Sequence, residues 1–193
     1  MKKFWLIHVV AAVGLVFVAA DIFPSGSVEF ASTSALRGVD KVYVDVRNID
    51  ENVRSEVKAQ GLAEEQLEVM IIKKLEVAGI QAFSGHESVK TAKQALLYLK
   101  LYILSSELTQ NTIRTLDGEK VPRSKAENRY LYAAILEFRQ PVTLERDLSI
   151  TLSAATWSTE STGFRRVKGI YTDISDMVDS FVQAYNAANA KQK

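Results

Sequence analysis

Apolar and polar residues alternate over residues 39–46 (VDKVYVDV). Val42, Val44 and Val46 point one way, Tyr43 and Asp45 the other. A period of two in a run rich in β-branched residues predicts a strand. Residues 96–104 (LLYLKLYIL) repeat the pattern more strongly. Leu97, Leu99, Leu101 and Ile103 form a core face, and Tyr98, Lys100, Tyr102 and Leu104 an amphipathic one whose polar tips reach water. Residues 130–143 alternate over their first ten positions, with Pro141 weakening the far end or placing it at an edge. Residues 149–159 make a last strand with Ile150, Leu152 and Ala154 on one face, and residues 80–83 a short one.

Two segments carry the helical period instead. In residues 63–78, Leu67, Met70, Ile71, Leu75 and Ala78 share one face. Glutamates lead, lysines follow, and Gly79 supplies a left-handed cap. In residues 170–188, Ile170, Ile174, Met177, Val178, Phe181, Val182 and Tyr185 do the same. Residues 47–61 read as a short helix ended by Gly61 or as a structured loop. The order is β-α-β-β-β-β-α. Strand, helix, glycine, strand has the spacing of a parallel crossover, and two one-sided helices need a common apolar surface. The expected fold is an α/β (α+β) two-layer sandwich, with a mixed sheet of four or five strands and both helices on one face. Residues 105–129 interrupt it without clear periodicity. Asp117-Gly118 is a turn signal there, and the insert could form a hairpin of its own.

The N-terminus follows another logic. Lys2 and Lys3 precede an uncharged apolar run over residues 4–20 that ends in Val18-Ala19-Ala20. Basic start, apolar run and small residues form the pattern of a secretory signal, with cleavage before Asp21 or, alternatively, before Leu36. An uncleaved anchor is the other reading, since the run sits at the short end for a spanning helix. Residues 21–37 carry Pro24, Gly26 and several Ser and Thr, and read as a flexible lead-in. A single domain over 38–188 and a frayed tail at 189–193 complete the organisation.

Composition then removes chemistry. The chain has 193 residues and no Cys, which excludes disulfides, thiol nucleophiles, Cys-based zinc sites and a lipoprotein anchor. Its 24 basic and 23 acidic residues give +1. Loss of Lys2 and Lys3 with a signal turns that to −1, which argues against nucleic acid as a partner. Beyond the leader one histidine remains, His86, with Glu87 beside it. Neither a metal-ligand spacing nor a nucleotide or serine-hydrolase motif occurs, so no catalytic, metal or cofactor residues are assigned. A glycosidase-like pair among Asp45, Glu87, Glu137 and Glu145 is a minor reading. Asp173, Asp176 and Asp179 read as the solvated side of the last helix. The candidate contact residues for a partner are Tyr98, Lys100 and Tyr102 on the outer sheet face, Trp157 with Phe164, and the basic cluster of Arg165 and Arg166 with Lys168. Core packing is an equal reading for Trp157.

The stretches GVDKVYVDVRNIDENV, GLAEEQLEVMIIKKLEVAGI and LEFRQPVTLERDLSITLSAATWST, with the closing helix, resemble a group of uncharacterised exported proteins of Gram-negative bacteria. Ala63 stands where that group carries a capping Thr or Ser, which costs a cap worth about 1 kcal/mol. More loosely, the element order is similar to envelope modules such as the TolB amino-terminal domain, the CsgG fold of curli secretion and penicillin-binding-protein activators. A signal segment, the lack of a catalytic constellation and an amphipathic outer sheet face point to a periplasmic, non-enzymatic protein that binds an envelope protein or cell-wall component, with no cofactor and with membrane contact only through an uncleaved N-terminus; the envelope modules it resembles likewise bind partners. The alternative is a small-ligand or lipid binder, with its site between sheet and helices or under the insert.

Overall fold

The computed structural model describes residues 30–31, 33–47, 49, 51–85, 94–104 and 129–190. The elements in chain order are β1 (Phe30–Ala31), a 3-10 turn (Thr33–Leu36), β2 (Lys41–Arg47), α1 (Glu51–Ala59), α2 (Glu64–Val77), β3 (Gln81–Ser84), β4 (Leu96–Leu104), β5 (Arg129–Leu144), β6 (Asp147–Arg166) and α3 (Val167–Asn189). The sheet order is β1-β6-β5-β4-β2-β3. β2 runs parallel to both β3 and β4, and the remaining pairings are antiparallel. The architecture is the expected two-layer α+β sandwich on a five-stranded mixed sheet, to which the two-residue β1 adds a sixth strand at one edge.

Alternation in the sequence becomes burial in the sheet. Val42, Val44, Val46, Leu97, Leu99, Leu101, Ile103, Tyr130, Tyr132, Ala134, Leu136 and Phe138 all face the helices and form one core with them. α2 contributes Leu67, Ile71 and Leu75, and α3 contributes Ile170, Ile174, Met177, Val178 and Phe181. Within residues 47–61, read as helix or loop, residues 51–59 are helical because Val53 and Val57, one turn apart, both enter that core. α1 and α2 end alike. Gly61 and Gly79 adopt φ of 92° and 81°. The next amide reaches back to close each helix, Leu62 N–H to Val57 O and Ile80 N–H to Leu75 O, both at 2.9 Å. This is the Schellman arrangement, with an apolar residue just past the glycine.

Three boundaries differ from expectation. The domain begins before residue 38: β1 pairs with β6, and Leu36 is fully buried. The C-terminal helix does not fray at Asn189. That side chain accepts from Gly38 N–H at 2.9 Å and donates to Leu36 O at 3.0 Å, tying the last turn to the lead-in. Nor does the last strand stop at residue 159. β6 continues to Arg166 and α3 starts at Val167, because Val167 is buried and draws the chain onto the core at once. His86, Glu87 and nearly all of the 105–129 insert lie outside the described residues.

Candidate functional site

The sheet face opposite the helices carries the candidate site. Register alone builds it, since residues directly opposite across a ladder share a face. One row runs Phe83, Tyr43, Leu96, Arg139, Ala155 from β3 to β6. The next is Asp45, Tyr98, Glu137, Ser158, followed by Arg47, Lys100, Ile135, Glu160. Tyr102, Ala133, Thr162 and then Leu104, Leu131, Phe164 complete it. Apart from Arg139 in the first row, charged groups therefore sit in the middle rows and aromatic or aliphatic ones at both ends. The helices pack against the other face through the shared core.

The charges are mutually compensated. Glu137 accepts from Lys100 at 3.0 Å and from Arg139 at 2.8 Å. Burial alone would push its carboxyl up, but those two cations outweigh that and hold it below the ordinary value. Lys100 also lies 5.4 Å from the Tyr98 ring centre, a cation–π distance. Asp45 is 1% exposed and pairs with Arg47 at 2.8 Å, which raises the guanidinium pKa. Gly85 closes over this spot. Its N–H donates to Val44 O at 2.7 Å, and a Cβ there would stand 2.6 Å from that same oxygen. At the far end Arg129 stacks 5.8 Å above Phe164, and at the near end Tyr43 and Phe83 rings lie 5.7 Å apart.

The sequence-derived contact residues divide. Tyr98, Lys100, Tyr102 and Phe164 come together on this face. Trp157 does not: it is 1% exposed, and its ring edge packs on Phe181 at 5.2 Å, so it is a core residue and not a contact residue. Phe164 and Trp157 stand on opposite faces of β6, because they are an odd number of residues apart with no bulge between them. Arg165 points to the helix side and pairs with Asp173 at 3.5 Å. Arg166 is exposed at the junction with α3. Tyr43, Phe83, Leu104, Leu131 and Arg139 belong to the face as well. Alternation showed which side each takes, but only strand order makes them neighbours.

The helix side holds two pinned tyrosines. Tyr130 donates to Glu56 of α1 at 2.5 Å and accepts from Gln60 at 2.9 Å. Tyr132 donates to Asp173 of α3 and shares a hydrogen bond with Ser161. Burial, and then the adjacent carboxylate, pushes both phenols up to about 12. They stay neutral and act as tethers, not as bases. Asp173 and Asp179 are accordingly more than a solvated stripe, since Asp179 also clamps Lys74 of α2 at 2.6 Å.

Asp45 and Glu137 do fall in one row, with Tyr98 between them. A glycosidase pair needs one carboxyl with a raised pKa to act as the acid. Glu137 is shifted the other way, and Glu145 lies far off in the β5–β6 turn. Among the described residues no group of three or more His, Asp or Glu could hold a metal ion, and no helix is long and apolar enough to cross a membrane. A groove of about 650 Å³ lies outside the sandwich, between α2 and α3, lined by Val69, Met70, Lys73, Val77 and Val182. It is not the interior site that a ligand between sheet and helices would need. No known family matches the chain, and no curated protein is similar to it.

Proposed function

We propose that the protein is a non-enzymatic, exported binding module that engages another envelope component through the open face of its sheet. One observation carries this: a continuous face across β2 to β6 that none of the described helices covers, with aromatic and aliphatic residues at both ends of a charge-compensated centre. Exposed aromatic and aliphatic residues on a face whose charges are already paired mark a surface for interaction. Tyr102 and Leu104 are close to half exposed on the central strand β4, where a partner would dock. Export is supported by the basic, apolar and small-residue order of residues 1–20. The test is affinity capture from envelope extract with the wild type and with a Tyr102→Glu, Leu104→Glu double variant. Loss of one specific partner in the variant, with unchanged thermal unfolding, supports the reading. Equal capture by both, or turnover of a cell-wall substrate by pure protein, contradicts it.

The α2–α3 groove favours a second reading, a lipid or other amphipathic ligand with Lys73 beside an apolar floor. Mass spectrometry of the native protein would show a bound lipid that Val69→Glu and Val77→Glu abolish. If the protein carries none, this reading fails.

A further inference from the structure

β5 and β6 outrun the rest of the sheet. β4 pairs with β5 only as far as Arg139, and β1 pairs with β6 only at Trp157 and Ser158. Beyond these points residues 140–144 and 147–155 form a two-stranded arm. A ribbon of two strands is marginal by itself. One face of this arm carries Leu148, Ile150 and Leu152, which are 78%, 39% and 49% exposed. Val142 stands opposite Leu152 on the same face.

The two edges of the arm are not equivalent. On β5, Pro141 lacks an N–H and interrupts any added ladder. On β6, the turn-proximal Ser149 N–H is taken by the Asp147 carboxylate at 3.0 Å. From Ile150 to Ala155 the outer edge then has no described strand beside it and no Pro, Lys or other charge of its own, while the Arg139 guanidinium reaches over from β5 to donate to Ser153 O at 3.2 Å. Natural edge strands are blunted by such residues unless they pair.

We propose that this edge pairs with the same edge of a second copy of the chain, making a two-fold dimer centred on Leu152. A strand that pairs antiparallel with itself closes by symmetry and cannot run on into a fibre. With the axis at Leu152, that residue meets its own copy, Ile150 meets Ala154, and Thr151 meets Ser153. Aliphatic residues oppose aliphatic ones on one face and hydroxyls oppose hydroxyls on the other, both favourable cross-strand pairs. Residues 148–159 hold no charge, so the paired strands themselves bring no like charges together. A foreign strand would need no such self-match, whereas a second copy supplies it from Ile150 to Ala154.

The chain has no Cys, so one introduced thiol gives an unambiguous reading. Residues directly opposite in an antiparallel ladder have Cα atoms about 4.5–5.5 Å apart, within disulfide reach. The full chain carrying Leu152→Cys is treated with a mild oxidant and run on a non-reducing gel beside Thr143→Cys, which lies on the β5 strand. The expected result is nearly complete dimer for Leu152→Cys and at least tenfold less for Thr143→Cys. Sedimentation of Leu152→Lys, with a like charge on the axis, shifts to monomer at concentrations where the wild type is dimeric. Absence of a Leu152→Cys dimer, equal dimer from both variants, or a disulfide to a different protein overturns the proposal.

Discussion

Replacement of Phe181 by Ala tests how the two layers are held together. Phe181 is fully buried on α3. Its ring meets Trp157 of β6 edge-on at 5.2 Å and Phe138 of β5 at 5.5 Å. Truncating a buried Phe to Ala costs about 3–5 kcal/mol. Aromatic pairs add about 0.5–1.5 kcal/mol beyond buried area. Two such pairs place Phe181→Ala at the upper end, about 4–5 kcal/mol, against a total of about 5–15 kcal/mol for a domain. Phe181→Leu keeps most of the volume and loses the ring edges, so it costs about 1.5 kcal/mol. Trp157 reports directly, because the other tryptophan, Trp5, lies in the N-terminal segment. Urea unfolding followed by tryptophan fluorescence has a slope of about 2 kcal/mol per molar, so Phe181→Ala lowers the midpoint by about 2 M. A loss below about 2 kcal/mol, or equal losses for Leu and Ala, would refute the aromatic clasp.

Three further changes probe separate parts of the fold. Gly85→Ala forces a Cβ onto Val44 O, so the edge must shift, and we expect about 1–3 kcal/mol of destabilisation in the same unfolding assay. Ala63→Ser supplies the missing N-cap acceptor of α2, where Gln66 already accepts from Ala63 N–H at 3.3 Å, and should raise stability by about 0.5–1 kcal/mol. Glu137 has a folded-state pKa below its ordinary 4.5, so its contribution is present above that value and is lost as pH falls through the folded pKa. Glu137→Gln should therefore be less stable than wild type at neutral pH, with the gap closing in acid. A gap independent of pH would contradict the pairing with Lys100 and Arg139.

Legibility followed physical range. β4 and α3 were plain in the sequence because each buries one full face, and burial imposes a period on the residues. α1 was undecided because only Val53 and Val57 mark it. β1 and the turn before Leu36 escaped notice because a strand of two residues has no period, and Pro and Ser upstream read as a tether. The alternation of Ile150, Leu152 and Ala154 announced a strand correctly. It did not tell whether that face is covered. Whether neighbours exist to cover it depends on where β4 and β1 stop, and no local pattern encodes that. The same limit applies to the open face. Tyr98, Lys100 and Tyr102 were visible as one side of β4, but Glu137 and Arg139 joined them only through register. Trp157 shows the converse, an aromatic whose type suits a surface and whose phase in β6 places it in the core.

The central claim is that the open sheet face meets a partner. A photo-crosslinking amino acid placed at position 98 on that face, and separately at position 69 on the exposed side of α2, interrogates it in intact cells. The account predicts a discrete adduct with one envelope component from position 98 and none from position 69. Adducts from position 69 with none from position 98 would contradict it.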